Sequence, residues 1–138
     1  MISIDGFLAE SFRFANDRWD SQEFSVSTTG IFSYDKFQHF FGSLIGTILL
    51  FILLLLLCNS GHEMILYSAL TMLTLGFLWE IKDGFVPDKD PNYIRIGKWV
   101  YCFGGDGFSW KDLLADWIGI QIGMFITSFL FQVFRLWN

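Results

Sequence analysis

The sequence predicts an all-α integral membrane protein: a helical bundle of three transmembrane helices plus an N-terminal amphipathic interfacial helix. Three observations favour this fold class. Hydrophobic residues make up 53% of the 138 residues, and only 17% are charged. Soluble domains carry about 25% charged residues. The mean hydropathy is +0.45, and the apolar residues are concentrated in three long runs. We expect residues 1–138 to form a single membrane domain.

Composition also excludes several classes of protein. Nine Lys and Arg against fourteen Asp and Glu give a net charge of −5, which leaves no basic surface for nucleic acid. The two cysteines, Cys58 and Cys102, are isolated in the sequence, so they form neither a disulfide framework nor a paired-cysteine metal site. The lipid bilayer is therefore the first expected partner, and no nucleic acid is expected.

Residues 1–20 have the period of an amphipathic helix. Apolar residues fall on one side, and charged or amide residues fall on the opposite side. Such a helix either lies in the membrane interface or packs on the protein's own loops. Residues 21–33 are rich in Ser and Thr and are expected to form a linker.

Transmembrane helices are predicted over residues 34–58, 64–81 and 110–134. The first contains an uncharged run from Phe40 to Cys58, and such a run of about 28 Å in a helix is long enough to cross a bilayer. Residues 82–109 contain both prolines and a Gly-rich segment, and they are expected to form a polar loop. Ser109 with Asp112 is similar to a capping box at the start of the third helix.

The distribution of Lys and Arg predicts the orientation. Eight of the nine lie before or in the first turn of the first helix, or between the end of the second helix and the first turn of the third, and the turn over residues 59–63 has none. The positive-inside rule therefore places the N-terminus and the long loop in the cytoplasm.

The most informative residues are ionisable side chains at membrane depth. Each helix carries a pair at helical spacing, near the same interface: Asp35 and His39, Glu80 and Asp83, Asp112 and Asp116. Residues three or four apart share a helix face. Because a charge inside a bilayer is costly, these side chains are expected to face the bundle interior.

Glycines follow two of these pairs at matching positions. Asp35, His39, Gly42 and Gly46 have the same spacing as Asp112, Asp116, Gly119 and Gly123. Glycines let helices approach closely in lipid. We therefore expect the first and third helices to pack in parallel through these two stripes, with Glu80 brought against them.

One imidazole with several carboxylates is a ligand set for a divalent metal such as Mg²⁺, Mn²⁺ or Zn²⁺. The predicted metal ligands are His39, Glu80, Asp83, Asp112 and Asp116. Glu80 and His39 are also the predicted catalytic residues, with Glu80 as general base. Asp35 and Lys36 extend the polar site. A structural interpretation stands beside this one, in which Asp35 and Asp112 cap helix starts and lysines pair with acids.

Three motifs resemble those of the small YfiM-type family and, more broadly, of VanZ-like membrane proteins. They are Asp35-Lys36-x-x-His39-Phe40, Gly76-x-x-x-Glu80-x-x-Asp83, and Ser109-x-x-Asp112-x-x-x-Asp116-x-x-Gly119. The resemblance implies a helical bundle in a bacterial envelope membrane, with the acids and His39 on the family's polar positions. Asp83 and Asp116 depart from VanZ-like members, which often carry Gln and Asn there.

Two functions compete at this point. The first is a metal-dependent hydrolase or transferase that acts on a lipid-linked or phosphorylated substrate from the bacterial inner membrane. The second is a non-catalytic accessory or scaffold subunit of a homo-oligomer or larger membrane complex, in which the polar cluster locks the helices together. An ion or proton pathway is a weaker third hypothesis, because the far half of the bundle has few ionisable residues.

Overall fold

The fold was analysed in a computed structural model, which describes residues 12, 14, 34–58, 61–85, 93–96, 99–102 and 107–137. Three helices dominate this part of the chain: α1 (Tyr34–Cys58), α2 (His62–Phe85) and α3 (Trp110–Trp137). A hairpin of β1 (Tyr93–Ile96) and β2 (Trp99–Cys102) lies between α2 and α3. The helix predicted over residues 1–20 lies outside the described residues, apart from Phe12 and Phe14.

All three helices are long and apolar enough to cross a membrane. The candidate spans are Lys36–Cys58, His62–Phe85 and Trp110–Val133, of 23 or 24 residues each. At about 1.5 Å per residue such a span covers roughly 35 Å, against about 30 Å of hydrocarbon. The length and composition of the three helices therefore confirm the prediction of three candidate membrane spans. Their exposed apolar side chains indicate contact with a lipid bilayer.

The second and third helices extend further than predicted. The helix α2 begins at His62, where the Met64 N–H bonds to the Gly61 carbonyl oxygen at 3.2 Å, and it continues to Phe85 rather than ending at residue 81. It continues because Asp83 and Gly84 are buried against the rest of the protein. The helix α3 ends at Trp137, three residues beyond the predicted end.

The hairpin corrects the prediction that residues 82–109 form only a polar loop. Strands β1 and β2 pair antiparallel, with Tyr93 opposite Cys102 and Ile96 opposite Trp99. Both strands are rich in β-branched and aromatic residues, and Gly97-Lys98 leaves only two residues between them. A two-residue connection that contains Gly is a hairpin signal.

The glycines of α3 bring its backbone against α1. A Cβ atom on Gly119 would overlap the Phe40 carbonyl oxygen, and one on Gly123 would come within 3.1 Å of the Leu44 carbonyl oxygen. Both positions are buried. These two glycines therefore permit close contact between the helices, as small residues do in lipid.

The glycines of α1 do not match them. A Cβ on Gly46 would meet the Met72 side chain of α2, and a Cβ on Gly42 would have nothing within 4 Å. This corrects the predicted packing role of both residues: Gly46 faces α2 instead of α3, and Gly42 faces open space. The two stripes share a spacing, but only the stripe on α3 lies in the helix contact.

The far half of the bundle, away from the polar pairs, has an apolar core. Phe51, Met64 and Ile65 are buried there, and Phe131 packs against them. Buried hydroxyls in the bundle bond within their own helices: Thr47 donates to the Ser43 carbonyl, Ser68 to Ile65, and Thr127 to Met124. Internal pairing of this kind is what a membrane interior requires of polar groups.

Candidate functional site

The polar pairs meet around a cavity of about 330 Å³ where α1 begins, α2 ends and α3 begins. Its polar lining includes His39, Ser43, Glu80, Asp83, Asp112 and Asp116. Four of these, Glu80, Asp83, Asp112 and Asp116, are buried carboxylates. The topology thus brings three helices' ionisable residues to one level, as their spacing predicts.

The imidazole of His39 lies at the centre of the site. Its Nδ1 is 3.0 Å from Asp116 Oδ2 on α3, and its Nε2 is 3.4 Å from Glu80 Oε1 on α2. One side chain of α1 therefore joins carboxylates from both other helices. With Nδ1 hydrogen-bonded to Asp116, the ring is oriented so that Nε2 points toward Glu80.

Asp116 of α3 is bonded by two side chains of α1 and lies against Gly76 of α2. The Ser43 hydroxyl donates to Asp116 Oδ1 at 2.5 Å, and His39 contacts the other oxygen. A Cβ on Gly76 of α2 would lie 2.6 Å from Asp116 Oδ2. Gly76 therefore leaves the room that this carboxylate occupies.

Ser43 and Gly76 contact the site although neither is among its predicted residues. Ser43 lies four residues after His39, and Gly76 lies four residues before Glu80, so each shares a helix face with a predicted site residue. This spacing was the signal that could have found them.

Glu80 is 1% exposed and is tied to the start of α3. The Ser109 backbone N–H donates to Glu80 Oε2 at 2.7 Å, and the Ser109 hydroxyl accepts from the Asp112 N–H at 3.0 Å. The second bond is the N-cap half of the capping box that the sequence suggested. Ser109 thereby holds Glu80 in place while its Oε1 remains toward His39.

Asp112 has a cationic partner at the same level. Lys36 Nζ lies 2.6 Å from Asp112 Oδ1, with side chains only 4% and 9% exposed. Asp112 also sits in the first turn of α3, where a negative charge is favoured by the helix dipole. Its structural roles are therefore clear, and they coexist with its position beside His39 and Glu80.

Asp83 lies at the edge of the cluster. Its Oδ1 is 2.8 Å from Lys82 Nζ, and Lys82 also lies 3.6 Å above the Trp79 ring. The Lys82 side chain is 45% exposed. Asp83 therefore contributes charge to the cavity wall and a surface ion pair.

Of the five predicted metal ligands, three are placed together. His39, Glu80 and Asp112 each offer one ligand atom, and these atoms lie within 4.8 Å of one another. Asp116 instead contacts the second nitrogen of His39, and Asp83 lies outside this group. Asp35 belongs to α1, but its side chain lies outside the described part of the chain.

Comparison of the sequence and the structure with known proteins identified no similar protein. The chain matches no protein-family model, no curated protein and no solved structure. The chemistry of the site is therefore inferred from the distances, burial and hydrogen-bond partners of its own residues.

Proposed function

We propose that this protein is a metal-dependent membrane hydrolase or transferase that acts on a lipid-linked or phosphorylated substrate. The observation that carries the proposal is the Asp116–His39–Glu80 arrangement. A histidine that ligates a metal commonly donates its other ring N–H to a carboxylate, which fixes the tautomer and orients the ring. Asp116 stands where that carboxylate is needed.

The distances agree with a shared cation. Metal bonds from histidine nitrogen and carboxylate oxygen are about 2.1 Å long, so at a near-tetrahedral angle the two ligand atoms are about 3.4 Å apart. His39 Nε2 and Glu80 Oε1 are separated by 3.4 Å. Asp112 supplies the third ligand atom. One imidazole among carboxylates favours Mn²⁺ or Zn²⁺ over Mg²⁺.

A divalent cation at this position supplies Lewis acidity toward a phosphoryl or carbonyl oxygen and toward water. The chain's own residues do the positioning. Ser109 holds Glu80 Oε2, so Glu80 Oε1 is directed at the cavity as ligand or proton acceptor. Asp116 orients the His39 ring, and the Ser43 hydroxyl in turn holds Asp116. Glu80 and Asp116 are only 1% and 3% exposed, so both carboxylates are shielded from bulk water.

Metal binding tests the proposal. The full chain, purified in mild detergent, is titrated with Mn²⁺ and followed by electron paramagnetic resonance. We expect one tight site per chain, at least tenfold weaker in His39→Ala and in Glu80→Gln. The matched control is Glu63→Gln, which removes an exposed carboxylate from the other end of α2. Equal binding by all four proteins, or none by the wild type, would contradict the proposal.

The accessory or scaffold function remains the second candidate, and one observation favours it. The four carboxylates of the site have partners in the protein: Glu80 with Ser109, Asp83 with Lys82, Asp112 with Lys36, and Asp116 with Ser43. Such pairing stabilises a bundle without any ligand. If His39→Ala lowers thermal stability equally with and without metal, this candidate is favoured; a partner-free monomer in mild detergent counts against it.

The proposal also includes the membrane in which the protein lies and its orientation there. We place the protein in the bacterial inner membrane with a cytoplasmic N-terminus, from the Lys and Arg distribution and from the resemblance to YfiM-type and VanZ-like proteins. In a background without Cys58 and Cys102, single cysteines at His62 and Lys98 test the orientation. A membrane-impermeant maleimide should label His62→Cys in intact cells and Lys98→Cys only after lysis. The reverse pattern would invert the topology.

A further inference from the structure

We propose that the cavity receives the polar head of a lipid phosphate sideways from the bilayer, through an opening between α1 and α2. This inference rests on the proposed function, because the phosphate would be held through the divalent cation. It narrows the substrate to a lipid that carries a phosphate monoester, and it adds the route of entry, which the polar cluster alone does not give.

The cavity opens toward the side of the bundle that is formed by α1 and α2. Among its lining residues, those exposed on the surface are on α1 and α2: Gly42, Leu75 and Trp79, the latter two 53% and 42% exposed. The lining residues of α3, Asp112 and Asp116, are buried. The helix α3 therefore forms the inner wall, and the cavity opens outward between α1 and α2.

The depth of this opening is given by its position along the two helices. Gly42 lies six residues inside the span that begins at Lys36, and Leu75 lies ten residues before the end of the span at Phe85. At about 1.5 Å per residue these positions are roughly 9 Å and 15 Å along their helices. Because both positions lie inside candidate membrane spans, we infer that the opening faces lipid rather than water.

The two glycines of α1 define where the opening stops. Gly42 has no atom within 4 Å of a built Cβ, whereas Gly46, one turn deeper, is covered by the Met72 side chain. Met72 therefore closes the gap below the cavity. A chain that leaves the polar site can pass over Gly42 and Leu75 into the surrounding lipid.

The membrane-interface end of the site carries an aromatic cover. The Phe12 ring lies 5.0 Å from that of Phe85 and 5.4 Å from that of Phe108. Phe14 forms a parallel β-bridge with Phe108. Phe108 directly follows Gly107, which lines the cavity. This cover places apolar surface against the end of α2 and the residues that precede α3, and we assign the side opening between α1 and α2 as the route of the lipid.

The charge of the cavity wall determines which lipid head group can bind there. Four carboxylates line the cavity, so an anionic head is repelled unless a cation neutralises the site. With the cation bound, a phosphate monoester becomes a ligand, and its acyl chains account for the apolar opening. Inorganic phosphate carries a similar charge but no acyl chains. Its binding therefore distinguishes a site for free phosphate from a site for a lipid phosphate.

The experiment uses the full chain in phosphatidylcholine nanodiscs with a phosphatidic acid that carries a photoactivatable diazirine near its glycerol. Labelled positions are mapped by mass spectrometry with Mn²⁺ and with a chelator. We expect Mn²⁺-dependent labelling at Met72 and Leu75, competed by phosphatidic acid and at least tenfold less by inorganic phosphate. Gly42→Phe should reduce this labelling at least fivefold.

The matched control is Ile45→Phe, which adds the same ring on an exposed face of α1 outside the cavity lining. A Cβ at Gly42 meets no atom within 4 Å, and Gly42 is not among the proposed ligands, so Gly42→Phe should keep wild-type Mn²⁺ affinity and thermal stability while its ring obstructs the opening. Equal labelling of Gly42→Phe and wild type, or labelling spread over all lipid-facing residues, overturns the lateral route. Site-specific labelling that persists in chelator keeps the route but removes the metal from the proposed function.

Discussion

The two halves of this bundle use the same three helices but hold them together differently. In the half with the site, contacts between helices pass through ionisable side chains: His39 joins Asp116 to Glu80, and Lys36 joins Asp112. In the far half the core is Phe51, Met64 and Ile65, with buried hydroxyls bonded inside their own helices. Only the first half has the cavity described here.

The two halves therefore stabilise the bundle by different kinds of contact. Helices in lipid gain little from apolar burial alone and associate through close packing and polar contacts. The far half meets that need with packing, and the Gly119 and Gly123 contact on α3 lies between the halves. The site half meets the same need with hydrogen bonds and ion pairs between the helices, such as Lys36 with Asp112 and His39 with Asp116.

The largest expected effect comes from breaking the Lys36–Asp112 pair. Lys36→Met leaves a buried carboxylate without its cation, and we expect a loss of about 3–5 kcal/mol in unfolding free energy. The double variant Lys36→Met/Asp112→Leu should recover most of this loss, because no uncompensated charge remains. Denaturant titration in detergent measures both; a single variant as stable as wild type would mean that the pair is not buried.

Substitution of the α3 glycine should have the next largest effect. Gly119→Ala puts a methyl group against the Phe40 carbonyl oxygen and forces α1 and α3 apart, at a cost of about 1–3 kcal/mol. Gly42→Ala is the matched control, since it enters open space and gains helix propensity of up to about 1 kcal/mol. Similar losses of unfolding free energy in both variants would instead indicate that the two glycine stripes pack symmetrically.

The smallest effect is expected for Thr127→Val, which is compared with Ser43→Ala so that one buried hydroxyl from each half is tested. Ser43→Ala removes a donor to the Asp116 carboxylate, which should cost about 1.5–3 kcal/mol. Thr127→Val removes a bond to the carbonyl of the same helix, which should cost about 0.6 kcal/mol or less. Thermal unfolding of the two variants side by side gives the difference, and its reversal would contradict the division between the halves.

Much of this architecture could be predicted from the sequence because it depends on local periodicity. Uncharged runs identify three helices, and the alternating direction of the helices brings Asp35, Glu80 and Asp112 to one membrane level. Spacings of three or four also identify which side chains share a face. The N-cap by Ser109 followed from its position three residues before Asp112.

What the sequence could not provide is the rotation of each helix about its axis. Identical spacing did not reveal that Gly42 faces a cavity while Gly119 faces a backbone. For the same reason, five acid and His ligands were predicted where three meet, and Asp116 turned out to contact the ring of His39. Ser43 and Gly76 gained their roles only when the third helix was placed beside them.

The central claim is that His39 and Glu80 share a divalent cation, with Asp116 orienting the ring. Pulsed electron paramagnetic resonance of the Mn²⁺-loaded protein tests it most directly, because a coordinated imidazole nitrogen modulates the electron spin echo. We predict modulation from one directly bound nitrogen, lost in His39→Ala and unchanged in His62→Ala, which removes the chain's other histidine. Bound Mn²⁺ without nitrogen modulation in the wild type, or modulation that survives His39→Ala, would contradict the account.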